Sequence, residues 1–204
     1  MNLNLFFIPY IPYPYAIQKL MVQQGLSRKG QTMFNNYSQR MKNFDWTSFT
    51  KKIAVKAPLT DIYNAWTRAG ELEKWFLRQV IFTDKTGTEI APGVNVRAES
   101  TYSWLWYLYE EAMPGFIKQA NGKDFLQFSF EGDCLVDVKL TEEAGYTIVE
   151  LKHYNIPTDD HSRQFIRLGC ASGWAFYLVN LKSVFEGGLD LRNKDEQLPP
   201  MINN

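Results

Sequence analysis

The sequence is poor in the residues that build covalent or metal-held scaffolds. It has two cysteines, Cys134 and Cys170, and two histidines, His153 and His161, in 204 residues. Two cysteines cannot form a disulfide framework, so a reducing compartment is expected, with the cytoplasm as the default. Neither residue type occurs in close pairs such as C-x-x-C or H-x-x-x-H, so no metal site and no cofactor are expected. There is no Gly-rich phosphate loop and no G-x-S-x-G nucleophile elbow. Net charge is lacking too, with 22 basic against 22 acidic side chains. A general nucleic-acid binder needs an excess of Lys and Arg, and that class is excluded. The apolar run from Leu5 to Ile17 is cut by Pro9, Pro12 and Pro14, so it cannot supply the ~20 apolar residues of a membrane span. A secretory signal is not expected either, because no Lys or Arg precedes that broken run. What is plentiful is aromatic: 15% of the chain, enough for a large apolar interior.

The zero net charge conceals an asymmetry. Residues 1–40 hold Lys19, Arg28, Lys29 and Arg40 and no acid, whereas the rest carries 18 basic and 22 acidic side chains. A shift this sharp marks a boundary near Met41. The expected organisation is a disordered N-terminal extension over 1–40, a folded domain over 41–194 and a C-terminal tail over 195–204. The sequence also admits Met41 as the biological start, with the first 40 residues an over-extension.

From Met41 the pattern is regular. Ser48–Lys56 reads as a strand and Pro58 opens a helix with Leu59, Ile62, Tyr63 and Trp66 at helical spacing. Gly70 closes that helix, and Glu71–Phe76 reads as a second short one. Val80–Thr83 and Val94–Tyr107 read as strands, and Glu110–Gly122 as a loop because of Pro114-Gly115 and Asn121-Gly122. Phe125–Phe130, Cys134–Leu140 and Tyr146–Tyr154 alternate with period two. Asp159 or Asp160 can cap a long helix from about His161 to Glu186, stopped by Gly187-Gly188. That helix is apolar over more than half its circumference and must be covered. Its Gly169-xxx-Gly173 pair allows close approach of another element, and a homodimer is compatible with the pattern. This order predicts an α+β fold, an antiparallel sheet with helices on one face.

Ala57-Pro58-x-x-x-Ile62-Tyr63-x-Ala65-Trp66-Thr67, Leu72-Glu73-Lys74-Trp75-Phe76 and the run from Gly169-Cys170 through Asn180 to Asp190-Leu191-Arg192 together resemble the START-like (SRPBCC) superfamily. Within it they resemble the homologues of the activator of the heat-shock-protein-90 ATPase, C-terminal domain type. The resemblance implies a helix-grip fold, a curved sheet wrapped around a long C-terminal helix, with a hydrophobic cavity between them. It does not imply chaperone activation. Eukaryotic activators carry a separate N-terminal domain for that contact, and a 40-residue extension is too short to supply it. Fold does not fix function in this superfamily.

Strand alternation places large apolar side chains inward: Tyr102, Trp104, Trp106 and Leu108 on one strand, then Leu126, Phe128 and Phe130, then Val136, Val138 and Leu140. Val149, Leu151 and His153 point inward while Glu150 and Lys152 point out. The candidate ligand-binding residues are therefore Trp75, Tyr102, Trp104, Trp106, Phe128, Phe130, Val136, Val138, His153, Trp174 and Tyr177. The alternative for the same aromatics is a solid core. Trp and Tyr carry N–H and O–H groups that need partners, and that favours a cavity with some polar lining. His153 is the one weak catalytic candidate, against a packed, hydrogen-bonded histidine under the long helix. His161 is expected at the surface, and Glu110-Glu111 and Glu142-Glu143 read as solvated loop charge. The leading functional expectation is a module binding a small apolar ligand: a lipid, a sterol-like molecule or an aromatic. The alternatives are a cavity enzyme of the polyketide cyclase or hydrolase kind and a protein-interaction or co-chaperone-like module.

Overall fold

Seven antiparallel strands form one sheet in the computed structural model, which describes residues 44–199 and 201–203. The expected extension over 1–40 and its boundary at Met41 lie outside the described residues. The strands are β1 (Ser48–Val55), β2 (Gln79–Thr83), β3 (Thr101–Leu105), β4 (Met113–Ala120), β5 (Phe125–Ser129), β6 (Leu135–Glu143) and β7 (Tyr146–Tyr154). Their order is β1-β7-β6-β5-β4-β3-β2, so β1 and β2, neighbours in sequence, form opposite edges of the sheet. Between them run α1 (Leu59–Thr67) and α2 (Ala69–Trp75). A π-helical segment, Ser162–Cys170, continues directly into α3, Ala171–Phe185. α1 packs on β5 and β6, α2 on β2, and α3 on β1 and α2. This is the α+β helix-grip architecture.

Burial alternates along the strands as the sequence pattern dictates. Val149, Leu151 and His153 of β7 are buried between half-covered or exposed neighbours. Val136, Val138 and Leu140 of β6 face the same way. Edge strand β1 carries Lys51 and Lys52, and Lys52 pairs with Glu150 directly opposite it on β7. Lysines on an edge oppose the addition of foreign strands. Asp159 caps the π segment: its carboxylate accepts from the Ser162 N–H at 3.0 Å and the Ser162 hydroxyl at 2.7 Å. His161 is exposed.

Three stretches differ from the sequence pattern. First, 110–122 is not all loop, because β4 occupies Met113–Ala120. Its first half pairs with β3 and its second with β5, with a register shift between Ile117 and Gln119. Pro114 and Gly115 are turn formers locally, but here a distant residue dictates them. Tyr102 lies opposite Gly115 across β3–β4, and a Cβ on Gly115 would sit 2.2 Å from its Cζ. Glycine lets the phenol lie across the strand and donate to the Ser129 carbonyl at 2.5 Å. Second, the strand expected over Val94–Tyr107 is confined to Thr101–Leu105. Leu108 lies beyond its end at φ 64°, so it leaves the inward row. Third, the break between the first two helices falls at Arg68, which is extended at φ −112° and ψ 132°, and Gly70 lies inside α2. Trp75 bridges the break by donating from Nε1 to the Ala65 carbonyl at 3.0 Å.

The C-terminal run is stapled to α2 by buried polar groups. Asn180 donates to the Trp75 carbonyl at 2.6 Å and accepts from the Leu191 N–H at 2.7 Å. Arg192, with a side chain only 1% exposed, donates to the carbonyls of Leu77 (2.8 Å) and Glu73 (2.9 Å) and grips Asp190 with two nitrogens. Free carbonyls at a helix C-terminus need such donors. Burial alone would raise the Asp190 carboxyl, but hydrogen bonds from Arg192, Lys194 and Asn180 hold it well below the usual carboxylate range. No helix among the described residues is long and apolar enough to cross a membrane.

Candidate functional site

A cleft of about 650 Å³ opens between the strand ends and the junction of the π segment with α3. Its floor is aromatic: Phe76 just past α2, Trp106 just past β3, Phe130 just past β5, and Trp174 and Tyr177 on α3. Phe76 is the hub, edge-on to Tyr177 at 4.7 Å and to Trp106 at 5.5 Å, and 5.2 Å from Trp174. Phe130 closes the floor 5.1 Å from Trp174. Such tilted and edge-to-face pairs are the arrangements aromatic quadrupoles favour. Gly169 and Gly173 line the helical wall, so the spacing that reads as a packing patch instead leaves open space. Phe165 and Tyr109 stand at the rim, 57% and 51% exposed. Met201 and Ile202 of the C-terminal tail also line the cleft, and Asn203 pins the tail to the Leu191 carbonyl at 3.0 Å.

The polar lining is sparse and of one sign. Glu111, from the loop after β3, and Glu131, from the β5–β6 turn, are the acidic side chains among the described residues of the wall. Glu131 is held at φ 57°, a conformation in which Gly or Asn is favoured. The Cys170 thiol on the wall is pushed up to about 12, by burial first and then by the charge of Glu131. Burial also raises the Tyr177 phenol, against the opposing charge of Arg192. The Trp174 indole N–H, on a residue only 2% exposed, has no hydrogen-bond partner among the described residues. Among those residues, no three His, Cys, Asp or Glu side chains gather closely enough to hold a metal ion.

Of the residues singled out from sequence, Trp106, Phe130, Trp174 and Tyr177 line the cleft. Trp75, Tyr102, Trp104, Phe128, Val136 and Val138 sit behind it in the packed core, each at most 3% exposed. Tyr102 stacks on Trp104 at 4.0 Å, and burial raises its phenol. His153 faces inward as the alternation requires, but it is packed between Phe49 (5.2 Å) and Phe130 (5.7 Å), not on the cleft wall. Both its ring nitrogens lack a hydrogen-bond partner; the Phe130 carbonyl lies near without making bond geometry. Burial, then the charge of Arg167, lowers its pKa to about 4, so the ring is neutral at physiological pH. Sequence reasoning did not single out Glu111, Glu131, Phe165, Tyr109, Met201 or Ile202 as site residues. Their one available signal was proximity in sequence, Glu131 beside Phe130 and Phe165 near the Gly169-xxx-Gly173 pair.

Comparison with known proteins agrees with this architecture. The chain superposes on a protein from Staphylococcus saprophyticus, SSP2350, with a TM-score of 0.56 and 16% identity, covering 71% of this chain and 96% of that one. The Aha1 dimer of Colwellia psychrerythraea gives a TM-score of 0.53 with 19% identity, over 69% of this chain and 97% of that one. DynU16, from the dynemicin biosynthetic locus, gives 0.56 with 14% identity, over 72% of this chain and half of that one. Likeness at these identities establishes the fold alone. No curated protein matches the chain significantly in sequence. The family model described as activator of Hsp90 ATPase homolog 1-like protein matches residues 56–186. That match spans both short helices, the whole sheet from β2 to β7 and the grip helix, and the chain belongs to this family.

Proposed function

We propose that this domain binds a small, largely apolar ligand in the cleft between the strand ends and α3. The observation that carries the reading is the cleft itself, about 650 Å³ and floored by five aromatic side chains. Ligand pockets typically enclose ~300–1,000 Å³, with mainly apolar walls and a few placed polar groups. The acid–base candidates read from the sequence do not supply a general base to the cleft. His153 lies behind Phe130, and the Cys170 thiol and Tyr177 phenol are both held protonated. A general base must reach its proton directly or through one water.

The test is native mass spectrometry of gently purified protein with extraction of its bound molecules, followed by thermal shift with fatty acids, sterols and aromatics. A ligand at 100 times its Kd should stabilise the fold by about 2.7 kcal/mol. No co-purified species together with no shift from the whole panel would overturn the reading. The dimer named for the Colwellia protein extends to this chain as a further proposal. Sedimentation of the purified protein checks it, and a monomer at all concentrations would refute it.

A further inference from the structure

We propose that the cleft selects an organic cation, an amine or quaternary ammonium carried on an apolar, aromatic-sized body. The proposal rests on the reading that the cleft binds a ligand, and it names the class. Three observations converge on it. The acidic lining residues, Glu111 and Glu131, both carry carboxyl groups, and among the described residues no Lys, Arg or His lines the wall. Neither carboxylate has a cationic partner within 4 Å among the described residues, in contrast to Asp190, which Arg192 grips. The floor beneath them offers Trp106, Phe130 and Trp174, whose ring faces attract cations, Trp most strongly. Aromatic faces beside unpaired carboxylates are what an ammonium group requires, and they repel a carboxylate or phosphate ligand.

The backbone at Glu131 points the same way. The β6–β7 hairpin turns on Ala144-Gly145, also at positive φ, with no charged side chain. At Glu131, as at Glu99 away from the cleft, a glutamate occupies a conformation that disfavours it, and Glu131 is the one of the two that lines the cleft. Strained residues of this kind cluster at ligand sites.

The experiment compares three probes with one naphthyl body: naphthylmethyl-trimethylammonium, naphthylmethanol and naphthylacetate. Binding to the full chain is read by calorimetry and by quenching of tryptophan emission, at low and high salt. The expected order is ammonium, alcohol, carboxylate, with the ammonium about tenfold tighter than the alcohol and its advantage shrinking in high salt. Glu111→Gln and Glu131→Asn should each reduce that advantage while leaving alcohol affinity within twofold. Asn suits the left-handed backbone, so Glu131→Asn should raise the unfolding midpoint while cation binding falls, which separates the site from the fold. Equal binding of ammonium and alcohol, or tighter binding of the carboxylate, overturns the cation proposal and leaves the cleft as an apolar site. Failure of all three probes overturns the cation proposal, and the apolar-ligand reading then stands or falls on the co-purification and thermal-shift panel.

Discussion

Gly115→Ala tests the account of how the sheet curls beneath the cleft. The new Cβ would lie 2.2 Å from Tyr102 Cζ, 2.3 Å from its hydroxyl oxygen and 2.6 Å from Cε1. Contacts this short require the ring to leave, because it is boxed in. Tyr102 is 3% exposed, stacked on Trp104 at 4.0 Å, and bonded to the Ser129 carbonyl. Displacing it forfeits a buried hydrogen bond, about 1 kcal/mol, and an aromatic contact of ~0.5–1.5 kcal/mol. Overpacking strain adds ~1–3 kcal/mol, and the lower entropy of an unfolded Ala offsets ~0.4–1 kcal/mol. The net expectation is a loss of about 2–4 kcal/mol, or roughly 4–16 °C in Tm for a body of this size. Urea unfolding followed by tryptophan emission measures it, and a double-mutant cycle with Tyr102→Ala assigns it. With the ring gone, Gly115→Ala should cost under about 0.5 kcal/mol. A single-variant loss below about 1 kcal/mol, or an equal loss in the Tyr102→Ala background, would refute the reasoning.

Arg192→Met strips the carbonyls of Glu73 and Leu77 of their side-chain donor and leaves Asp190 with Lys194, Asn180 and the backbone N–H of residue 192. We expect a loss of about 2–4 kcal/mol in urea unfolding; a loss within 0.5 kcal/mol would show that the staple is dispensable. His153 gives stability a pH dependence. Its folded pKa of about 4 lies below the ordinary 6.5, so the unfolded chain binds the proton more readily. Stability should be complete above pH 6.5 and fall through pH 4, by about 3 kcal/mol in total. His153→Phe should flatten that slope, and an unchanged slope would assign it to other groups. The Cys170 thiol, pushed up to about 12, should alkylate far more slowly at pH 8 than an unperturbed thiol, as followed by peptide mass; rapid labelling would contradict its burial. Met201→Ala with Ile202→Ala should leave stability within about 0.5 kcal/mol, as for exposed surface sites. Acrylamide quenching of tryptophan should rise at the same time, and unchanged quenching would show that the tail does not shield the cleft.

How far the sequence spoke depended on the range of the interactions. β6 and β7 were readable because alternation is local: Val149, Leu151 and His153 obey it over a single strand. The last helix was readable from Asp159 and its glycine stop, although the π winding of its first nine residues left no trace in the apolar pattern. β4 was not readable, because Pro114-Gly115 is turn chemistry until Tyr102 is known to lie over it. Alternation says which face a side chain takes but not how far along the cleft axis it stands. Trp104 and Phe128 therefore looked equivalent to Trp106 and Phe130, yet they lie in the core behind them. Glu131 was hidden for the opposite reason, since a charged residue in a turn reads as solvated wherever the turn points.

The placement of β1 at the edge beside β7 governs how this chain comes off the ribosome. β1 pairs with β7 alone, Ser48 opposite Tyr154, so its partner is synthesised about a hundred residues later. At ~5–20 residues/s, the nascent chain carries a finished but unpaired first strand for roughly 5–20 s. During that interval Phe49, Ile53 and Val55 are the segment that another chain could capture. Lys51 and Lys52, interleaved among them, act then as gatekeepers against misassembly, and once the seventh strand has paired with one side of β1 they guard the other.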